Sequence, residues 1–187
     1  DIPALPLPNK AVVPNPVRNA AQVRVETIRR ILAANGLVEA VTYSFLDAKT
    51  VALFGDVPDS LRLVNPISAD LDTMRPSVLP NLVAAIARNR ARGIENPALF
   101  EVGPQYIDDT PEGQSTVAAG ARAGQTGSRS WAVKAEPVDA FHAKADVMVA
   151  LSAVGAPVAN LQVSTDAPNW YHPGRSGCLR LGPTVLA

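Results

Sequence analysis

The sequence predicts an α+β fold in which helices flank a mostly antiparallel sheet. Two observations support this prediction. Segments with the three-to-four-residue spacing of apolar side chains alternate irregularly with segments of two-residue period. Short loops containing Pro or Gly separate several of the strand-like segments, which favours antiparallel pairing. We therefore expect three long helices and six or seven strands in a single domain.

Three segments have the apolar spacing of a helix and end near a glycine that can adopt a left-handed backbone conformation. These helices are predicted from Arg18 to Asn35, from Leu79 to Arg92, and from Val138 or Asp139 to the residues before Gly155. A shorter helical piece is predicted within Lys49 to Gly55.

The clearest strand signal runs from Val38 to Leu46, where Val41, Tyr43 and Phe45 alternate with polar residues and predict one half-buried face. Further strands are predicted for Leu61–Val64, Ala98–Gly103, Val117–Ala121, Asn160–Thr165 and Cys178–Leu181, with Gln105–Ile107 as a continuation or an edge partner. Glu101 should point away from the apolar residues of its strand.

Composition excludes several classes of protein. With 47% hydrophobic and 18% charged residues, the chain of 187 residues is not wholly disordered. No apolar run approaches the about 18 to 20 residues that span a bilayer, so no membrane contact is expected. Seventeen basic residues balance seventeen acidic ones, which gives no overall charge for nonspecific polyanion binding. A single cysteine, Cys178, and no signal-peptide pattern predict a cytoplasmic protein.

The N-terminal residues 1–16 contain five prolines and no helical period, so we expect a linker or arm there and the core module in residues 17–187. The chain starts without methionine and ends shortly after a Gly-Pro turn. We therefore expect a piece of a longer protein, with the module cut short at its C-terminus.

The sequence contains few residues in patterns that indicate catalysis. Cys178 with His172 or His142 would be the candidate nucleophile and base, but a lone cysteine in an apolar strand is more often a small buried side chain. The histidine and cysteine spacing matches no zinc motif, and no Gly-rich phosphate loop is present. We expect no catalytic, cofactor-binding or metal-binding residue in this chain.

Two polar clusters remain open to interpretation. Arg75, Arg88, Arg90 and Arg92 could clamp a phosphate or an RNA backbone, but cations at a helix C-terminus also interact favourably with its dipole. The loop of residues 169–175 combines two aromatic residues with His172 and Arg175. It could recognise a ligand, or it could be a tight turn whose aromatic side chains cover the sheet edge.

Almost forty residues, Asn65 to Gly103, resemble the class II synthetase-like module of the bacterial phenylalanyl-tRNA synthetase beta subunit. They contain its NP-S, MR-S-LP and FE-G features in order. Three other segments agree with the same module and in the same order: Asp1–Pro3, Val25–Phe45 and the loop His172–Gly177. The resemblance therefore covers essentially the whole chain.

The resemblance implies a class II aminoacyl-tRNA synthetase-like sheet flanked by helices, in a module without catalytic activity of its own. The aminoacylation site of the family lies in the alpha subunit, and two alpha and two beta subunits form a tetramer that charges tRNA(Phe) using ATP and magnesium. Phe100 stands before Glu101, where an active motif 2 has an ATP-binding arginine, and no motif 3 segment is found. The alternative is a free-standing class II-like ligase or acyltransferase that activates a small carboxylic acid.

The family's motif-1-like helix and strand take part in association with the alpha subunit. Here they correspond to the first helix and the strand after it, which indicates a subunit interface at Val25, Ile28, Ile31, Leu32 and Tyr43. The helical residues of this set could equally form ordinary core inside the domain. No role follows for His172 and Arg175 beyond their place in the family's loop.

Overall fold

A computed structural model describes Ala4, residues 17–128 and residues 130–187. The predicted arm of residues 1–16 thus lies almost wholly outside the described residues. The helices of the described part are α1 (Ala20–Ala34), α2 (Ala48–Ala52), α3 (Leu79–Ala91) and α4 (Ala140–Ala153). All three predicted long helices and the short one are confirmed.

The helix boundaries follow from local capping chemistry. The side chain of Asn19 accepts a hydrogen bond from the backbone of Gln22, and the Gln22 side chain accepts one in return at the start of α1. Pro80 lies in the first turn of α3, where a missing N–H is tolerated. Gly93 follows α3 with φ of 87°, a conformation that side chains with a Cβ rarely adopt.

The strands form three small sheets. The described residues contain β1 (Val38–Glu39), β2 (Phe45–Leu46), β3 (Thr73–Met74), β4 (Ala98–Tyr106), β5 (Gln114–Arg122), β6 (Gln162–Ser164), β7 (Cys178–Leu181) and β8 (Thr184–Val185). Their orders are β1-β4-β5, β2-β3 and β6-β7-β8. All pairs are antiparallel except β1 with β4, which is parallel. The mixed α+β architecture is confirmed, although the expected sheet is divided into three.

The β4–β5 hairpin forms the centre of the chain, with nine residue pairs from Ala98↔Arg122 to Tyr106↔Gln114. Phe100 and Val102 on β4 point toward α1 and form the main core cluster with Leu32 and Leu37. Burial of these side chains supplies the main driving force for packing α1 on the sheet.

The expectation of one strand from Val38 to Leu46 is wrong. The segment begins beside β4, where the Ala40 N–H donates to Phe100 O over 2.7 Å. It then leaves β4 and pairs with β3 as β2, so the two ends belong to different sheets. Val41 and Tyr43 lie on the connection and are 88% and 74% exposed, not half-buried.

The strand expected at Leu61–Val64 is replaced by a turn of 3-10 helix, Asp59–Leu61, and an isolated bridge between Arg62 and Thr73. Leu61 is buried, so its apolar character reflects packing at the turn. The strands expected at Asn160–Thr165 and Cys178–Leu181 are confirmed as β6 and β7, whereas β8 was not expected. β4 includes Gln105 and Tyr106, which confirms that they continue the strand, and β5 is longer than expected.

A buried ion pair fills the opposite side of β4. Arg75 and Glu101 are 1% and 3% exposed, and Arg75 Nη2 lies 2.9 Å from Glu101 Oε1. Arg75 also donates from Nη1 to Thr42 Oγ1 over 2.8 Å and from Nε to Pro104 O over 2.8 Å. Thr42 in turn donates to Glu101 Oε2 over 2.6 Å. The network therefore satisfies both charges with hydrogen bonds, as buried charges require.

Backbone bonds reinforce this joint between the sheets. The Arg75 N–H donates to Ser44 O over 2.9 Å, and Arg75 O accepts from the Tyr106 N–H over 3.1 Å. Gly103 provides the necessary space, because a Cβ there would lie 2.7 Å from Arg75 Nη2. A glycine is thus required on β4 by close approach of the guanidinium.

Replacing Glu101 by Gln should leave the Arg75 charge buried without its counter-ion. We expect the free energy of unfolding in urea to fall by about 3–5 kcal/mol. The matched control is Glu39→Gln, which removes a partly exposed pair with Arg29 and should cost only about 0–1 kcal/mol. Equal losses for the two variants would contradict a special contribution from the buried pair.

Gly103→Ala should also be destabilising, because the added methyl group meets Arg75 Nη2 and Glu101 Oε1, which are both held by hydrogen bonds. We expect a loss of about 1–3 kcal/mol in the same unfolding measurement. At Gly127 a Cβ would meet nothing within 4 Å, so Gly127→Ala should change stability by no more than about 0.5 kcal/mol. A Gly103→Ala variant as stable as the control would show that the guanidinium moves freely.

Candidate functional site

Phe100 occupies the sheet position where an active class II synthetase would have an ATP-binding arginine, and its side chain belongs to the hydrophobic core. Phe100 is fully buried against α1, on the face of β4 opposite to Glu101. The residue before Glu101 therefore points away from the face that Glu101 occupies. A phosphate-binding side chain at residue 100 would have to be buried among Leu32 and Leu37.

The Glu101 face is closed as well. Arg75 uses Nε, Nη1 and Nη2 to bind groups of the chain itself. Interpreting Arg75 as a phosphate clamp is therefore wrong, since its guanidinium is buried and each of its three nitrogens donates to a group of the chain. The residues present do not fit ATP at this position.

The other arginines of the predicted cluster lie at the surface. Arg88, Arg90 and Arg92 are exposed at the end of α3, and none forms an ion pair within the part of the chain that the structure describes. Their position agrees with the favourable interaction of cations with a helix C-terminus.

The five proposed interface residues have very different surroundings. Leu32 is buried in the core, and Val25, Ile28 and Ile31 are partly buried against that same core. Tyr43 is instead 74% exposed. The chain's own packing thus accounts for much of the apolar stripe on α1, and Tyr43 offers the most free surface of the set.

Val41 accompanies Tyr43, although it was not among the predicted interface residues. Thr42 between them points inward to Arg75, so its two neighbours are presented outward. The alternation of apolar and polar residues in this segment indicates that Val41 and Tyr43 share a face, but it predicts that this face is half-buried. The tertiary contact of Thr42 reverses which face is buried.

A cleft of about 630 Å³ separates this segment from α3. Tyr43, Pro80, Asn81 and Arg88 contribute to its walls. Asn81 Nδ2 donates to the carbonyl oxygen of Tyr43 over 3.2 Å, which ties the segment to α3. Asn81 Oδ1 is buried and accepts no hydrogen bond from any described group. Exchanging the two amide atoms would place this oxygen against the Tyr43 carbonyl, so the assignment is determined by that contact.

The loop between β6 and β7 carries His172 and Arg175, and both are exposed. Trp170 packs edge-on against Phe54, with ring centroids 6.4 Å apart, and lies 6.2 Å from the Tyr171 ring. Burial raises the pKa of the Tyr171 phenol. The aromatic residues thus cover the end of α2, while the polar residues face outward.

His142 and Cys178, two of the candidates for a base and a nucleophile, lie in different elements, α4 and β7. His142 Nδ1 lies 2.7 Å from Asp139 Oδ1 at the start of α4, where the backbone N–H of His142 lowers the pKa of the Asp139 carboxyl. His142 is therefore part of a helix cap. Cys178 is partly buried in β7 opposite Ser164.

The described residues contain neither a metal-binding group of side chains nor a membrane-spanning helix. Within Ala4, residues 17–128 and residues 130–187, no three or more His, Cys, Asp or Glu side chains are grouped to hold a metal ion. No helix in those ranges combines the length and apolar character needed to cross a membrane.

The sequence of this chain is similar to those of known proteins. Residues 6–187 match the family described as the phenylalanyl tRNA synthetase beta chain CLM domain. Over 186 residues the chain is 53% identical to the phenylalanine–tRNA ligase beta subunit of Rhodospirillum rubrum, covering 100% of the chain and 23% of that protein. The beta subunits of Paramagnetospirillum magneticum and Brucella abortus are 53% and 47% identical, each over 97% of the chain and 23% of their own length. The chain thus spans about a quarter of these relatives.

Solved structures resemble the fold with low sequence identity. A pyrrolysyl tRNA synthetase of Desulfitobacterium hafniense superposes with a TM-score of 0.66 at 16% identity, over 90% of this chain and 55% of that one. A second structure of that enzyme gives 0.65 at 17%, over 90% and 58%. These likenesses identify a class II aminoacyl-tRNA synthetase fold. The sequence match over nearly the whole chain shows that it belongs to the phenylalanyl-tRNA synthetase beta chain CLM domain family.

Proposed function

We propose that this chain is a non-catalytic scaffold within a phenylalanine–tRNA ligase beta subunit and that it associates with a catalytic alpha subunit. The closed sheet face carries this proposal. Phe100 lies in the core, and the Arg75–Glu101 pair fills the other side of β4, so neither position can bind a substrate without unfolding the joint. The beta-subunit relatives support the subunit assignment.

The chemistry in this proposal belongs to the whole assembly. Two alpha and two beta subunits in the cytoplasm would charge tRNA(Phe) with phenylalanine, with ATP and Mg²⁺ bound outside this chain. The module would supply a rigid class II frame against which the alpha subunit packs. Its own residues would contribute surface contacts and no reacting group.

The surface proposed for this association centres on Val41 and Tyr43. Both are highly exposed, at 88% and 74%, and lie two positions apart on the same side of the segment. The Thr42 contact and the Asn81 bond to the Tyr43 carbonyl fix the backbone beneath them. A tyrosine on a rigid backbone is well suited to an interface, because it buries much area at a small entropic cost. Val25, Ile28 and Ile31 on α1 remain candidates for the margin of this surface.

The catalytic part of the proposal can be tested by phenylalanine-dependent exchange of pyrophosphate into ATP. The chain alone should give no exchange above background, because no described arginine on the sheet is free to bind the phosphates of ATP. Adding the alpha subunit and the rest of the beta subunit should give exchange. Robust exchange by the chain alone would contradict the scaffold function and favour the free-standing ligase or acyltransferase.

Tyr43→Asp in the full beta subunit should weaken association with the alpha subunit, because an ionised carboxylate would have to be buried in the interface. We expect the dissociation constant to rise at least about tenfold, which corresponds to about 1.4 kcal/mol. Analytical ultracentrifugation or titration of labelled alpha subunit would measure this.

Ile107→Asp is the matched control, since Ile107 is 67% exposed at the end of the β4 ladder. It introduces the same charge outside the proposed surface and should leave association unchanged. Equal association of the wild-type subunit and the Tyr43→Asp variant would exclude this surface from the interface.

A further inference from the structure

The loop from Asp166 to Gly177 is firmly attached at its base. Asp166 forms an ion pair with Arg180 of β7 and accepts a hydrogen bond from the Ser164 hydroxyl, which lowers the pKa of the Asp166 carboxyl. Arg180 Nε also donates to Ser164 Oγ over 3.0 Å. Both ends of the loop are thus held by the β6–β7 pair.

The middle of the loop is attached to a different part of the chain. Trp170 lies over Gly55, where an added Cβ would be 3.1 Å from the indole ring, and it packs edge-on against Phe54. The loop is therefore pinned to the end of α2 by an aromatic contact. Nevertheless, Trp170 and Tyr171 remain 40% and 44% exposed, so part of each ring faces solvent.

A compact turn follows the aromatic residues. The Arg175 N–H and the Ser176 hydroxyl both donate to His172 O, over 3.0 and 2.8 Å. The Gly174 N–H donates to His172 Nδ1 over 3.1 Å, so this nitrogen acts as an acceptor. When Nδ1 accepts this bond, the other ring nitrogen, Nε2, is the one that can donate to a ligand.

Arg175 differs from the arginine five positions later. The Arg180 side chain binds Ser164 and Asp166. The exposed Arg175 guanidinium has neither a hydrogen bond nor an ion pair to any residue within the described ranges. The turn therefore carries an unengaged planar cation three residues after His172, on a backbone held by hydrogen bonds.

We propose that this loop binds RNA, with Arg175 and His172 on a backbone phosphate and the exposed parts of Trp170 and Tyr171 beside an unpaired base. The proposal rests on the proposed function, which makes tRNA the available polyanion. The guanidinium fork matches two phosphate oxygens, and the imidazole supplies a further donor. Partly exposed aromatic rings stack on unpaired bases.

The same rings favour RNA over an acidic protein segment. Carboxylates would use the two cationic or polar donors but would gain nothing from stacking. An unpaired nucleotide uses both kinds of side chain within one six-residue stretch. The loop therefore recognises a nucleotide at a single-stranded position, and its phosphate contact is independent of sequence.

The test uses the full alpha–beta enzyme carrying Arg175→Gln and, as probe, a tRNA(Phe) transcript. Its affinity should fall about tenfold, as expected for loss of a charged hydrogen bond. The slope of log affinity against log salt concentration should become shallower by about one. Arg175→Lys should keep the slope and restore part of the affinity, because it retains the charge without the fork.

The matched control is Arg62→Gln, which removes an exposed arginine that pairs with Asp59 and should leave tRNA binding unchanged. Phenylalanine-dependent pyrophosphate exchange requires no tRNA and should be unchanged in all three variants. Unchanged tRNA affinity and salt slope in Arg175→Gln would overturn the proposal.

Weakened alpha–beta association with unchanged tRNA affinity would also overturn the proposal, by assigning the loop to a protein contact. The proposed function fails in a different experiment. A wild-type beta subunit that does not associate with the alpha subunit would contradict it, and the loop proposal with it.

Discussion

The ion pair between Arg75 and Glu101 is the interaction on which the arrangement of this chain depends. Both side chains are buried, and a buried charge without a partner would cost several kcal/mol of folding free energy. The fold is therefore stable only when the two side chains are paired. Their meeting joins β3 to β4 and draws in Thr42 from the connection between β1 and β2. The same contact requires a glycine at position 103, since the Cβ of any larger residue would overlap the guanidinium.

This joint also bears on the proposed lack of catalytic activity. Charged and polar groups on one face of β4 bind each other, and Phe100 on the other face belongs to the core. A sheet surface that binds ATP needs free donors, and here the donors on that surface are consumed by internal contacts. The same residues that stabilise the frame therefore account for the proposed lack of catalysis.

The two surfaces proposed for binding are both held by internal contacts. Thr42 fixes the segment that presents Val41 and Tyr43, and the Asp166–Arg180 pair with the packing of Trp170 fixes the loop before β7. Exposed side chains on ordered backbone lose less conformational entropy on binding than those on mobile loops. Partly buried polar or aromatic contacts thus hold the backbone of each surface in place.

The sequence alone determined the local structure and the family. Periodicity and the glycines after the helices were sufficient for α1, α3 and α4, because these signals act within a few residues. Only the tertiary structure decided which face of the segment from Val38 to Leu46 is buried. Its alternation is the same for either face, and the long-range contact of Thr42 with Arg75 selects the one that points inward. The partner of Arg75 was likewise undetermined, since Glu101 lies on a different strand and only folding brings the two charges within 2.9 Å.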